Sequence, residues 1–319
     1  MPLTLKQKIE NPSQGVYMIG TTPPKLGTDN DKISEIAHKL LERLNSLEYD
    51  GVVIYDIQDE SSRTSIPRPF PFKNTVDPRE YSQLIKQISQ KDVITYKSVT
   101  QKGKEEFNQW LIETNERYEL SNLVLVGNPS SQANLQFTLP EAYQALTEHS
   151  DKFSLGGVTI AERHASKRNE HERLLKKTDQ GCEFFISQAV YDAQATINLI
   201  TSYARKCRQL NIEPQRIILT FSPCGSQKTL EFMEWLGISV PEATKWRVLD
   251  SDSPLKESIK ICRENLNLIL QNCGDVGVPL GLNIESLTNR KEEIDAAVSL
   301  YRLLKATMEL YLAEQSLSN

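Results

Sequence analysis

Eight short apolar runs, each followed by a longer stretch of helical period, constrain the fold of this chain more than any other feature. The runs are Val16–Ile19, Gly51–Ile57, Asp92–Val99, Asn122–Val126, Phe153–Ile160, Cys182–Val190, Arg216–Phe221 and Val278–Ile284. Several are near-continuous in Val, Ile, Leu and Phe instead of alternating apolar with polar. Strands covered on both faces need that pattern, and parallel sheets flanked by helices cover both faces. Between the runs, apolar residues recur at three- and four-residue spacing. Ile33, Ile36, Ala37, Leu40, Leu41, Leu44 and Leu47 form one helical face, with Asp29 or Asp31 placed to cap its start. Leu255, Ile259, Cys262, Leu266 and Ile269 form a second such face. Ile294, Ala297, Val298, Tyr301, Leu304, Met308 and Leu312 form a third.

Successive runs start roughly 30–40 residues apart, the length of one strand–helix unit with its right-handed crossover. Eight such units predict an α/β fold, a (β/α)8 TIM barrel, as one domain over residues 1–319. Residues 1–14 read as an N-terminal segment and 313–319 as a C-terminal tail. The interval from Arg216 to Val278 is longer than the others and has room for an extra helix around Pro254–Cys273. An open doubly wound sheet is the alternative, because periodicity does not reveal closure. No G-x-G-x-x-G is present, which disfavours a dinucleotide-binding domain of the Rossmann type.

With 37 Lys+Arg against 42 Asp+Glu, the net charge is −5, which argues against a dedicated nucleic-acid binder or a polybasic membrane protein. Cys182, Cys207, Cys224, Cys262 and Cys273 are odd in number, form no C-x-x-C pair and show no zinc spacing. Met1 to Gln14 is polar and lacks the apolar core of a secretory signal. No stretch approaches the ~18 apolar residues of a membrane span. A cytoplasmic protein is expected, and self-association is left open.

In such a barrel the functional residues end the strands. Three groups of them carry chemistry. Arg163, Lys167, Arg168, Arg173, Lys176 and Lys177 stand against Glu170 and Glu172 after the fifth run, with His164 and His171 among them. That stretch could bind a diphosphate, or be a solvated helix face with Glu–Lys pairing. Asp56, Asp59 and Glu60 follow the second run, where carboxylates could exchange protons or simply pair with Arg63 and Arg68. Gln188 ends the sixth run and would present an amide, donor and acceptor together, to the edge of a pterin or flavin ring; otherwise it is a satisfied core glutamine. Cys224 is a nucleophile candidate without a base placed beside it. His164 and His171 lack a third ligand, so a metal is not expected.

At these residues the chain resembles the methylenetetrahydrofolate reductase family in its single-domain barrel form. The resemblance is strongest from Phe153 to Asp192, especially Lys176–Asp192, and continues at Tyr17–Pro24, Arg63-Thr64, Leu123–Asn128, Ser222–Gly225 and Thr288-Asn289-Arg290. It implies FAD as cofactor, NADH or NADPH as hydride donor, and 5,10-methylenetetrahydrofolate or a related one-carbon pterin as substrate. It implies flavin contacts from Thr64, Asn128, His164, Arg168, Glu170, Arg173, Lys176 and Lys177. Folate contacts are implied for Gln188, Asn289 and Arg290. Gly20 stands where the family has its general-acid glutamate, and Asn128 where it has an aspartate. The expected proton source is therefore the acidic loop, Glu60 before Asp56 and Asp59. The alternative is a divergent member without reductase activity that binds a folate-like ligand or a protein partner.

Overall fold

The computed structural model describes residues 3–61, 64–99, 103–127, 137–149 and 151–318. Strands form at Tyr17–Thr21 (β1), Gly51–Ile54 (β2), Asp92–Ser98 (β3), Asn122–Val126 (β4), Ser154–Thr159 (β5), Cys182–Ala189 (β6), Arg216–Phe221 (β7) and Leu280–Glu285 (β8). They close into a barrel in sequence order. Each of the eight apolar runs thus carries a strand. All four residues of β2 and all six of β7 are buried, as strands covered on both faces require. β8 begins at Leu280 and not at Val278, because Pro279 has no N–H to give; its carbonyl instead accepts from Ile217 N at 2.9 Å.

Helices α1 to α5 span Leu5–Glu10, Asn30–Leu44, Pro78–Ser89, Lys104–Glu116 and Leu139–Thr147. Helices α6 to α8 span Ala161–Lys167, Glu170–Asp179 and Ala193–Leu210. Helices α9 to α12 span Gln227–Trp235, Glu242–Leu249, Pro254–Cys273 and Lys291–Ser318. The interval before β8 therefore holds α9 and α10 as well as the expected α11. The N-terminal segment is not plain coil: Thr4 and Gln7 form a reciprocal capping box on α1. The stretch expected as a C-terminal tail continues α12 through Ser318. Asp29 occupies the N-cap of α2 without a side-chain bond.

Contacts divide the chain into two compact units. One comprises Ile19–Val158 and Lys177–Glu183. In it β2, β3, β4 and β5 pair in parallel, from Gly51 opposite Asp92 to Val124 opposite Gly156. Its α3 is fixed to α4 by Arg79, which forks onto Asp77 at 2.7 Å and stacks over Trp110 and Tyr118.

The other unit comprises Met1–Met18, Thr159–Lys176 and Phe184–Asn319. Here β6, β7 and β8 pair in parallel. Gly281 is required in β8: a Cβ there would lie 3.0 Å from the Val16 carbonyl oxygen, which accepts from Leu282 N at 2.8 Å. Arg216 at the start of β7 is 1% exposed and gathers carbonyls from α1. No helix among the described residues is long and apolar enough to cross a membrane.

Candidate functional site

The C-terminal ends of β5 and β6 and the first turns of α6 and α8 enclose a pocket within the second of these units. Its polar lining is Thr159, Glu162, Ser187, Gln188, Asp192 and Thr196, beside the apolar Leu199, Ile200, Ile217 and Leu219, and its volume of about 10 Å³ leaves room for about one water. Gln188 reaches it through an irregularity in β6. The β6–β7 register shifts between Ile186 and Ala189, and Ser187 Oγ takes the N–H of Thr220 at 2.9 Å in place of a ladder carbonyl. A bulge of this kind re-aims side chains. Gln188 Nε2 then donates to the Leu236 carbonyl at 2.7 Å, which fixes the amide plane. The same loop beyond α9 holds Glu162, whose Oε1 accepts from Ser239 N at 3.0 Å. Asp192 caps α8, its Oδ1 accepting from Ala195 N at 3.0 Å.

Burial raises the Glu162 carboxyl above the usual carboxylate range; the Ser239 N–H opposes this and the Asp192 charge adds to it. Among the described carboxylates it is the one shifted in that direction. Thr159 is 1% exposed, and its hydroxyl has no hydrogen-bond partner among the described residues. Glu162 stands in the first turn of α6, and nothing in its local sequence pattern marks it.

The basic stretch is organised around one carboxylate. Glu170 is fully buried; its Oε1 accepts from Ile160 N at 3.1 Å and from Arg163 at 3.2 Å, while its Oε2 lies 3.0 Å from Arg163 Nη1 and 3.3 Å from Arg173 Nε. Lys177 is also buried, and its ammonium donates to the Val158 carbonyl. Arg168 ends α6 in the left-handed conformation, φ 53°, with its side chain exposed like those of Lys167 and Lys176. His164 is 6% exposed, shares a 3.2 Å hydrogen bond with Ser202 and meets His171 edge to face at 5.2 Å. Burial holds the His164 imidazole below its ordinary value, with the neighbouring His171 adding to the effect, so the ring is neutral at pH 7.

The acidic loop, in the unit that contains β2, makes mostly local contacts. Asp56 is tied to β3: its Oδ2 accepts from Ser98 N at 2.7 Å and lies 4.0 Å from Lys97 Nζ, and its Oδ1 accepts from Gln58. Asp59 is held below the usual range by the Ser61 hydroxyl and then by the Ser61 N–H, which suits an acceptor and not a proton donor at neutral pH. Glu60 faces the charge of Arg68. Thr64 accepts from Ile66 N at 3.2 Å. Asn128 lies outside the described residues. Asn289 and Arg290 are exposed on the loop before α12 and do not line the Gln188 pocket.

Cys224 is buried, and burial pushes its thiol up to about 12, as it does for Cys182 and Cys262. A nucleophile needs the opposite shift. All five cysteines are buried, so alkylation by iodoacetamide at pH 8 is expected only on unfolding. One thiol modified rapidly in the native protein would contradict this packing, a count that mass spectrometry reads directly.

A solved structure of an uncharacterized protein from Clostridium thermocellum that binds two copies of 5-methyl-5,6,7,8-tetrahydrofolic acid is 34% identical to this chain. The match covers 95% of this chain and 99% of that one, with a TM-score of 0.81. The chain belongs to the family of that protein. EDTA monooxygenase from Chelativorans sp. BNC1 is 9% identical over 92% of this chain and 94% of its own, with a TM-score of 0.52, a likeness of fold alone. No family model matches the chain, and no curated protein does.

Proposed function

We propose that this protein binds a reduced folate of the 5-methyltetrahydrofolate class, with Gln188 at the pterin edge. The observation that carries the reading is end-to-end similarity to a 5-methyltetrahydrofolate-binding protein at 34% identity. Gln188 supplies supporting chemistry: its amide, donor and acceptor together, is held in one plane by the Leu236 carbonyl at 2.7 Å. The Leu236 carbonyl holds one N–H of Gln188, leaving the amide oxygen and the second N–H for a ligand.

The resemblance to methylenetetrahydrofolate reductases extends this reading to hydride transfer from NADH or NADPH through FAD. The basic stretch, which includes several of the flavin residues the resemblance implies, is partly engaged within the protein. Arg163 and Arg173 are committed to Glu170, and Lys177 to the Val158 carbonyl. Arg168 and Lys176 are exposed, so the set is only partly committed; the matched protein binds a folate, so binding stands ahead of reduction.

Calorimetric titration with 5-methyltetrahydrofolate is expected to give saturable binding, and the two copies held by the relative make stoichiometry part of the readout. Gln188→Ala is expected to weaken binding by about tenfold, the value of a hydrogen bond plus ring contact of about 1.4 kcal/mol. A native protein with no affinity for the folate would remove the proposal. A flavin absorbance band in the purified protein, or FAD binding on titration, would restore the reductase reading to first place.

A further inference from the structure

Helix α6 packs along α8 through an imidazole that has a partner for one of its two nitrogens. His164 on α6 is 6% exposed, and its Nε2 shares a 3.2 Å hydrogen bond with Ser202 Oγ of α8. Its Nδ1 is buried without a partner, as are Nδ1 of His171 on α7 and Oδ1 of Asn169 in the turn between the helices. The two rings lie 5.2 Å apart, with their planes at 86°. Neutral imidazole carries one N–H, whereas imidazolium carries donors on both nitrogens. A proton added to His164 in place would bury an N–H without an acceptor and set a cation beside the second ring.

The surrounding charges do not offset this. Helix α6 itself carries Arg163, Lys167 and, at its C-cap, Arg168. Helix α7 carries Glu170, Glu172 and Arg173, but Glu170 is fully buried and already engaged by Arg163 and Arg173. On α8 the ring meets the Ser202 hydroxyl, and the charges one turn further on, Arg205 and Lys206, are cations. Burial opposes a charge on His164 most, and His171 and Arg168 add to it; among the described residues Glu170 acts the other way.

We propose that His164 and His171 form an acid-sensitive latch: the neutral rings hold the α6–α7 hairpin on α8, and a proton on His164 releases it while the barrel strands stay folded. A released His164 takes its proton near the ordinary value of about 6.5, and the docked ring takes it only at lower pH. The latch is therefore closed above that value and loosens as pH falls below it. Residues 165–168 at the turn of the hairpin are exposed, so this segment can open without breaching the barrel.

Hydrogen exchange read by mass spectrometry at about pH 7.5 and about pH 5, corrected for the intrinsic effect of pH on exchange, tests the latch. In the native protein, protection over residues 161–171 is expected to fall by about tenfold or more at the lower pH, while residues 216–221 of β7 keep theirs. His164→Gln, whose amide can still reach Ser202 and does not titrate, is expected to remove most of that fall. His171→Gln, at a half-buried position, is expected to reduce it in part, and His38→Gln, on the exposed face of α2, to leave it unchanged. Each readout is a ratio between two pH values within one protein, so lower overall stability in a variant does not mimic the result. Unchanged protection over residues 161–171 in the native protein, a fall shared equally by β7, or a fall that persists in full in His164→Gln overturns the latch.

Discussion

Replacing Arg216 with methionine is expected to destabilise the protein by about 3 kcal/mol or more, through carbonyls that lose a donor at about 1–3 kcal/mol each, Asn11 keeping the N–H of Gln14 at 3.1 Å. The guanidinium is 1% exposed at the start of β7. Its Nε donates to the Ile9 carbonyl at 3.1 Å and its Nη1 to the Leu280 carbonyl at 2.5 Å. Its Nη2 donates to Lys8 at 3.2 Å and to Asn11 at 2.5 Å. Three of these acceptors sit at or just beyond the C-terminal turn of α1, where carbonyls lack intrahelical donors and the helix dipole is negative. The arginine thus caps α1 and joins it to β7 and β8. Methionine has similar length but no donors, so packing survives while the cap is lost. Urea denaturation reads the stability. Hydrogen exchange over residues 5–10 separates a local loss, in which α1 exchanges early, from a global one. A midpoint unchanged from the native protein, with α1 still protected, would show that these carbonyls find other donors.

The sequence shows why Arg216 is invisible in advance. It opens an apolar run, Arg216–Phe221, and reads there as an exposed flanking charge; only the return of residues 8–11, some two hundred positions away, turns it into a core residue. The strands were legible for the opposite reason. Their signal is local: a run such as Asn122–Val126 or Arg216–Phe221 that is apolar on both faces has few other places to go, and both match their strands at each end. Helix α11 was equally plain from Leu255 to Ile269. Helices α9 and α10 were not, being only 9 and 8 residues long, too short to show a repeating face.

At the site, Gln188 could be found because a polar residue ending a long apolar strand is unusual. Glu162 could not, since its meaning comes from Ser239 and Asp192, which are distant in sequence. The basic stretch misled in an instructive way. Charge counting sees six cations and cannot see that Glu170 between them is fully buried, drawing Arg163 and Arg173 inward. The Glu170–Arg173 spacing of three residues is a readable helix pair. The spacing of seven to Arg163 is not, because α6 ends at Lys167 and a left-handed Arg168 redirects the chain before α7 begins.

Glu170→Gln tests which of the two readings of that stretch is physical. If Glu170 serves as the internal counter-charge, its neutral isostere keeps the volume and one acceptor but leaves two guanidinium groups without the buried carboxylate they share. Removing one partner of a buried charge cluster costs about 3–5 kcal/mol when the rest stays buried. Here Arg163 and Arg173 are 28% and 47% exposed and can swing partly into solvent, so about 2–3 kcal/mol is expected. The amide oxygen can still accept from Ile160 N, so the link between the end of β5 and α7 weakens without breaking. The loss should be read from urea midpoints, and it should shrink in Glu170→Gln/Arg163→Met, where the repelling pair is no longer complete. That partial recovery distinguishes electrostatics from a packing defect, which a second substitution would only deepen. A single variant as stable as the native protein would mean that the two arginines already face solvent anions, returning the stretch to the role of an anion site.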